Sequence, residues 1–323
     1  MKLVKLLSAA VAGVAMMASA HAADYPSKNL TVVVPFPPGG ASDLTARLVT
    51  NEMQKTFGQP IVVENKAGAN GSIGAAQVAQ SPADGHSILV GSIGVYAINA
   101  ALYPSLPYDP AKSFDLLTVA VRTPNVLVAS PSFKANSVKE LIDLMKAEPD
   151  KVTFASSGTG SSDHLTAALF MQKAGVKGVH VPYKGGGPAQ TDLMGGHVDV
   201  SFQNLGAVSK HIKAGKMKLL AITADKRDAG FADTPTMKES GVTGVEVYSW
   251  QAIAAPKGLP ADVKNKLHTA LVAAINAPEV KGKFTDMGFE VVANTPEQFT
   301  AFNDQEIARW KAVVAEGKIT PDK

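Results

Sequence analysis

Short runs of apolar, often β-branched residues alternate along this chain with stretches whose apolar positions recur every three or four residues. Val32-Val33-Val34 reads as a buried parallel strand. Leu44, Leu48 and Met53 fall on one face of a helix that follows it, and Ser42 or Asp43 can cap that helix. Between them lies the stiff turn Pro35-Phe36-Pro37-Pro38-Gly39-Gly40. Pro60 to Glu64 predicts a second strand, Asn65 to Gly71 a glycine-rich turn, and Ile73 to Ala79 a helix. Ser87 to Gly91 predicts a third strand, which ends in Ser92-Ile93-Gly94.

Leu116 to Val121 and Val126 to Ala129 read as strand, and Pro124 between them argues against one continuous central strand. The crossing into a second lobe is expected there. Ser137-Val138-Lys139-Glu140 has the capping-box pattern, ahead of Leu141, Leu144 and Met145 on one helix face. The strand-turn-helix theme then returns: Val152 to Ala155, the turn Ser156 to Asp163, and a helix through Leu165, Ala168, Leu169 and Met171. Val179 to Pro182 is followed by the turn Tyr183 to Pro188 and a short helix over residues 189–194. Val198 to Phe202 leads into Gln203-Asn204-Leu205-Gly206, and Lys218 to Thr223 adds a further strand. Trp250 to Ala254 carries the chain back, and two helical stretches around a short strand at Phe289 to Val292 complete it. The pattern is α/β, with Rossmann-like units in two lobes: residues 23–122 with 249–323, and residues 123–248.

The first residues change the charge balance. Lys2 and Lys5 precede an apolar run from Leu6 to Ala18, and Ala20-His21-Ala22 fits a cleavage site, so residues 1–22 read as a signal peptide. Its removal lowers the formal charge from +3 to +1, and nothing then points to nucleic acid. The chain has no cysteine: no disulfide, no thiolate metal site, no cysteine nucleophile and no lipid-anchoring cysteine. An exported, periplasmic protein that is not lipid-anchored fits these features.

Catalytic motifs are scarce. There is no G-x-S-x-G, no H-E-x-x-H and no nucleotide-binding glycine motif, so neither a cofactor nor a metal is expected. Ser161, Ser162, Asp163 and His164 stand together, and an exported hydrolase using Ser161 and His164 is the enzymatic alternative. Adjacent Ser and Asp before a helix are far more often caps than a triad, which is assembled from separated segments. The turns carry a different message. At least five repeat one composition of glycine and small hydroxyl residues after an apolar strand, as a cleft lined by main-chain N–H groups requires.

The four arginines, Arg47, Arg122, Arg227 and Arg309, all lie outside those turns, and Lys184 is their one cation. An anion would therefore be held by N–H groups, hydroxyls and water rather than by a guanidinium clamp. Asp43 would repel a bare anion, so it is expected to cap the helix, orient a water or meet a ligand ammonium group. Phe36 and Tyr183 can supply apolar walls.

Several segments in order identify a resemblance: Tyr25-Pro26, Val34 to Asp43, Val63 to Gly71, Ala83-Asp84-Gly85, Tyr183 to Ala189, Ile212 to Lys216 and Ala255 to Pro260. The chain resembles the solute-binding proteins of tripartite tricarboxylate transporters, the Bug family, over essentially the whole mature length. The resemblance implies a two-lobed periplasmic binding (Venus flytrap) fold closing on a small carboxylated molecule: a di- or tricarboxylate, an aromatic acid or an acidic amino acid. It implies delivery to the permease subunits of such a transporter; a monomer is expected, and a signalling role in which the closed receptor docks on a sensor domain is a further alternative. It also implies the ligand-binding positions. Phe36, Gly40, Ala41, Ser42, Asp43 and Ser92 serve from the first lobe. Ser157, Gly158, Thr159 and Ser161, then Tyr183, Lys184 and Gly185, then Gln203 and Asn204 close from the second. Many relatives carry an acidic residue near Asn204, and the amide here is less hostile to a second ligand carboxylate.

Overall fold

The computed structural model describes residues 25–321, so the proposed signal peptide lies outside the described residues. Strand β1 (Leu30–Val34) is buried almost throughout, and helix α1 (Ala41–Phe57) follows the proline-glycine turn. Strand β2 (Ile61–Asn65) pairs parallel with β1, and helix α2 (Ser72–Ala79) returns the chain to strand β3 (Ser87–Ser92) on the other side of β1. Leu30, Val32, Val33 and Val34 are fully buried. Each such side chain contributes about 1.5–3 kcal/mol relative to exposure. A π-helical turn (Gly94–Ile98) and helix α3 (Asn99–Leu102) then lead to strand β4 (Phe114–Ala129).

β4 corrects one expectation. It is a single strand of 16 residues that runs straight through Pro124. Up to Pro124 it pairs antiparallel with β9 (Tyr248–Pro256); from Asn125 onward it pairs with β7 (Val200–Asn204) and from Val126 with β8 (Lys218–Ile222). Proline lacks an N–H, and it stands where the strand exchanges partners, so its missing donor does not interrupt a ladder.

The rest of the second unit follows the predicted order. Helix α4 (Val138–Ala147) is capped by Ser137, whose side chain accepts from the Glu140 N–H. Glu140 reaches back to the N–H of Asn136 rather than of Ser137, so the capping box is displaced by one residue. Strand β5 (Thr153–Ser156), helix α5 (Ser162–Ala174), strand β6 (Val179–Pro182) and helix α6 (Gly186–Gly195) come next. Gln203 and Asn204 end β7, and a helix, α7 (Leu205–Lys213), begins directly after them. β5 pairs parallel with β6 and β7, which places β6 at the far edge. After β9 come α8 (Ala261–Asn276), α9 (Pro278–Asp286), β10 (Glu290–Val291) and α10 (Pro296–Gly317).

α10 packs across the sheet. Phe299, Asn303, Glu306, Trp310, Val313 and Val314 are its buried residues. Phe299 meets Tyr96 edge-on at 5.7 Å, while Gln172 of α5 donates to the Val313 carbonyl at 3.0 Å. Midway, one oxygen of Glu306 accepts the indole N–H groups of both Trp250 and Trp310, each at 3.2 Å. The helix thus binds to elements of both units and to the strand between them. The architecture is α/β and two-lobed, with a curled sheet that runs through both lobes.

Candidate functional site

The first corner lies between β1 and α1. Gly39 adopts φ +85°, where a residue with a Cβ is disfavoured, and both Gly39 and Gly40 are exposed. Gly40 is the N-cap and no side chain caps the helix. The first intrahelical bond is Leu44 N–H to Gly40 O, so the N–H groups of Ala41, Ser42 and Asp43 precede the ladder. Neither Ser42 nor Asp43 is the N-cap, which corrects the sequence reading. Asp43 reaches back to the Gly39 N–H at 2.9 Å, accepts from Asn65 at 3.0 Å and pairs with Arg47 at 3.0 Å. Burial pushes this carboxyl up, but the Arg47 guanidinium and the Gly39 and Asn65 donors outweigh it, and the group titrates below its usual range. Asn65 also donates to Phe36 O at 3.0 Å. Asp43 is therefore a fastener of this turn.

The Ser42 hydroxyl donates to Gln251 Oε1 at 2.5 Å, and Gln251 stands opposite Ser92 in the antiparallel β3–β9 register. Ser42, Ser92 and Gln251 thus meet where the paired strands β3 and β9 lie under the start of α1. Gln251 and Asn65 were missed by sequence reasoning. Asn65 stood inside a motif read as a turn, and Gln251 was hidden in an apolar strand, where only the lone amide between Trp250 and Ala252 offered a signal.

Across the cleft, the turn after β5 is largely self-satisfied. Asp163 accepts both the N–H and the hydroxyl of Ser157 at 2.6 Å. Gly158 N–H reaches Ser156 Oγ at 3.2 Å, and Gly160 N–H reaches His164 Nδ1 at 3.1 Å. Ser161 N–H bonds to Gly158 O at 3.1 Å. Of residues 157–161, Thr159 alone has an N–H with no acceptor among the described residues. Burial raises the Asp163 carboxyl, against the opposing donors of Ser157 and Ser161. Burial, and then the neighbouring His180, push His164 down to about 3. The two imidazoles stack in parallel at 3.6 Å.

Ser161 caps α5: its oxygen accepts from the His164 N–H at 3.3 Å while its hydroxyl donates to Gly158 O at 2.5 Å. No bond joins the Ser161 hydroxyl to the His164 ring, so the nucleophile–base pair of a hydrolase is not formed.

The next turn is laced to this one by Tyr183 N–H to Ser156 O and Gly185 N–H to Ser157 O, both 3.0 Å. The Tyr183 phenol donates to Asp192 at 2.7 Å, and desolvation together with that carboxylate pushes it up to about 12. Lys184 is exposed and makes no ion pair among the described residues, and α6 begins at Gly185 without a side-chain cap. Gln203 accepts from Gln190 at 3.1 Å and donates to Ser201 at 2.8 Å. Asn204, the N-cap of α7, donates to Asn125 Oδ1 at 2.6 Å, and its own oxygen takes no bond among the described residues. The turn after β2 approaches the turn after β5 at Asn70, whose amide lies 3.5 Å from Gly160 O, with Leu102 packed on Gly160.

The arginines have acidic partners, Arg47 at the first corner itself and Arg309 with Glu306 on α10. Arg47 holds Asp43 and Asn65, Arg122 clamps Glu290 with two bonds of 2.9 and 3.1 Å, and Arg227 pairs with Glu239. No metal-ligating cluster occurs among the described residues. A site of this kind offers N–H groups, hydroxyls and amides to an anion and has no nucleophile poised for chemistry.

Comparison with known proteins agrees. A family model described as "Tripartite tricarboxylate transporter family receptor" matches residues 45–319. Protein BugT of Bordetella pertussis is 38% identical over 308 residues, covering 95% of this chain and 94% of BugT. A solved R. palustris protein with adipate superimposes with a TM-score of 0.83 at 35% identity, covering 93% of this chain and 100% of that one. MatC from Rhodopseudomonas palustris, with bound malate, gives 0.80 at 34% identity over 90% and 100% of the respective chains.

Proposed function

This chain belongs to the tripartite tricarboxylate transporter receptor family, and from that premise we propose that it captures a small dicarboxylate and hands it to a membrane permease of that transporter class. The receptor role is non-enzymatic and periplasmic, as in its structural neighbours. The observation that carries the ligand class is the start of α1. Three successive N–H groups precede the helical ladder beside two exposed glycines, where the helix dipole favours negative charge. With the arginines committed to acidic partners, the carboxylate is gripped by neutral donors. Relatives solved with adipate and with malate both hold dicarboxylic acids, which favours that class over amino acids.

In this reading residues 23–122 with 249–323 form one lobe and residues 123–248 the other. Export follows cleavage after Ala22. The lobe-one grip comprises Gly40, Ala41, Ser42 and Ser92, with Phe36 as a wall and Asp43 fixing the turn. From the second lobe, Thr159 and Lys184 offer donors and Asn204 an acceptor. Ser157, Gly158, Ser161, Tyr183, Gly185 and Gln203 hold that face in shape. No helix among the described residues is long and apolar enough to cross a membrane.

Calorimetry of the mature chain against C4 to C8 dicarboxylates, including malate and adipate, tests the reading. One-to-one saturable binding with a raised melting temperature is the expected result. A chain that binds none of the panel while remaining folded would refute it.

A further inference from the structure

We propose that Gln251 donates its side-chain amide to the ligand carboxylate, and that Ser42 holds it in the donating orientation. The assignment rests on the receptor reading above and adds a residue from the crossover strand to the grip.

Gln251 alternates with the apolar residues of β9. Trp250 and Ala252 face the α10 side, while Ile253 and Ala255 pack into the core beneath α1 and α8. By that alternation Gln251 shares the α1 face, at the end of β9 that lies beside the last residue of β3. It is 3% exposed, and a buried amide needs partners. Its oxygen has one, the Ser42 hydroxyl at 2.5 Å. With the oxygen turned to the Ser42 hydroxyl, the nitrogen is the end of the amide left to donate. The nitrogen, with two N–H groups, has no acceptor among the described residues, and it is not among the side-chain atoms sealed from solvent without a partner.

The donor pair stands where Ser42 bonds to Gln251 and Ser92 lies opposite it in register, on the strand beside the helix start whose first N–H groups precede the ladder. The charged groups on the flanking elements are already paired, Asp43 with Arg47 on α1 and Arg122 with Glu290 across β4 and β10. A neutral donor at this point is what a carboxylate held without arginine requires.

The substitution Gln251→Glu separates this role from a structural one. It is isosteric and can still accept from Ser42, but it replaces the N–H donors by an anionic acceptor. Calorimetry of the mature protein with malate and adipate, at pH 7.5, 6.5 and 5.5, would compare variant and wild type at each pH, so that the acids' own titration cancels. At pH 7.5 the variant should bind about tenfold to a hundredfold more weakly. The deficit should shrink toward pH 5.5, as the introduced carboxyl takes up a proton and becomes a donor. Gln251→Met, which carries no charge into the site, should lose about tenfold at every pH, and Ser42→Ala a smaller, pH-independent factor.

Native affinity in Gln251→Met, or a deficit in folded Gln251→Glu that does not change with pH, overturns the assignment while leaving the receptor reading in place. A wild-type chain that binds neither acid overturns both.

Discussion

His164 sits under the second-lobe turn with a lone pair on Nδ1 accepting the Gly160 N–H at 3.1 Å, stacked against His180. Protonation of that nitrogen would remove the acceptor, and burial holds the ring neutral down to about pH 3. In the unfolded chain the same imidazole titrates near 6.5. The folded pKa is thus depressed, so the unfolded state binds the proton first. The stabilisation is fully present above about pH 6.5 and is lost progressively as the pH falls from there toward 3. At pH 5 the unfolded imidazole gains about 1.36 × log(1 + 10^1.5), or about 2 kcal/mol, that the folded one does not share. Asp163 has the opposite sign: its carboxyl is raised by burial, so it favours the folded state as the pH falls. A variant comparison cancels that contribution. His164→Asn keeps an oxygen for the Gly160 N–H but cannot titrate. Urea unfolding at pH 8 and pH 5 should show wild type losing about 2 kcal/mol more than the variant between the two. Parallel losses would refute the reasoning.

Two more outcomes follow from the packing. Gly206 lies against the Met287 carbonyl and Gly288, with no room for a Cβ, so Gly206→Ala should cost about 1–3 kcal/mol in denaturant unfolding, although alanine is the better helix former; an unchanged midpoint would show that the two segments part freely. Glu306→Ala strands the indole N–H groups of Trp250 and Trp310, the protein's two tryptophans, and should lower stability by about 2–4 kcal/mol while shifting the emission maximum; a native spectrum would contradict the shared acceptor.

Much of the molecule was readable in order. The strand at Val32 to Val34, its glycine turn and the helix after it follow from β-branched burial and a 3.6-residue period, both local signals. The glycine-rich turns after the strands were legible for the same reason, because turn composition is local and strand ends in an open α/β sheet share one side. What escaped was set by distant partners. The continuity of β4 through Pro124 depends on a change of neighbours that no window of sequence contains. Asp43 looked like a cap, yet its partners Asn65 and Gly39 are set by the parallel register of β1 with β2 and by the positive φ of Gly39. Ser157, Ser161 and Gln203 carry the right chemistry for ligand contact, but hydrogen bonds within their own lobe have already engaged them. Composition counts donors; only geometry tells which of them remain to be used.

The unbroken β4 has a mechanical consequence. Every stage from Phe114 to Ala129 runs beside β9 or beside β7 and β8, with irregular register only between Leu116 and Thr118, Val119 and Val121, and Leu127 and Val128. No slack peptide is left there to fold like a crease. We expect any opening between the lobes to be spread in small increments over this laced ribbon, like the twist of a stiff spring, and not gathered at one peptide like a door on a loose pin.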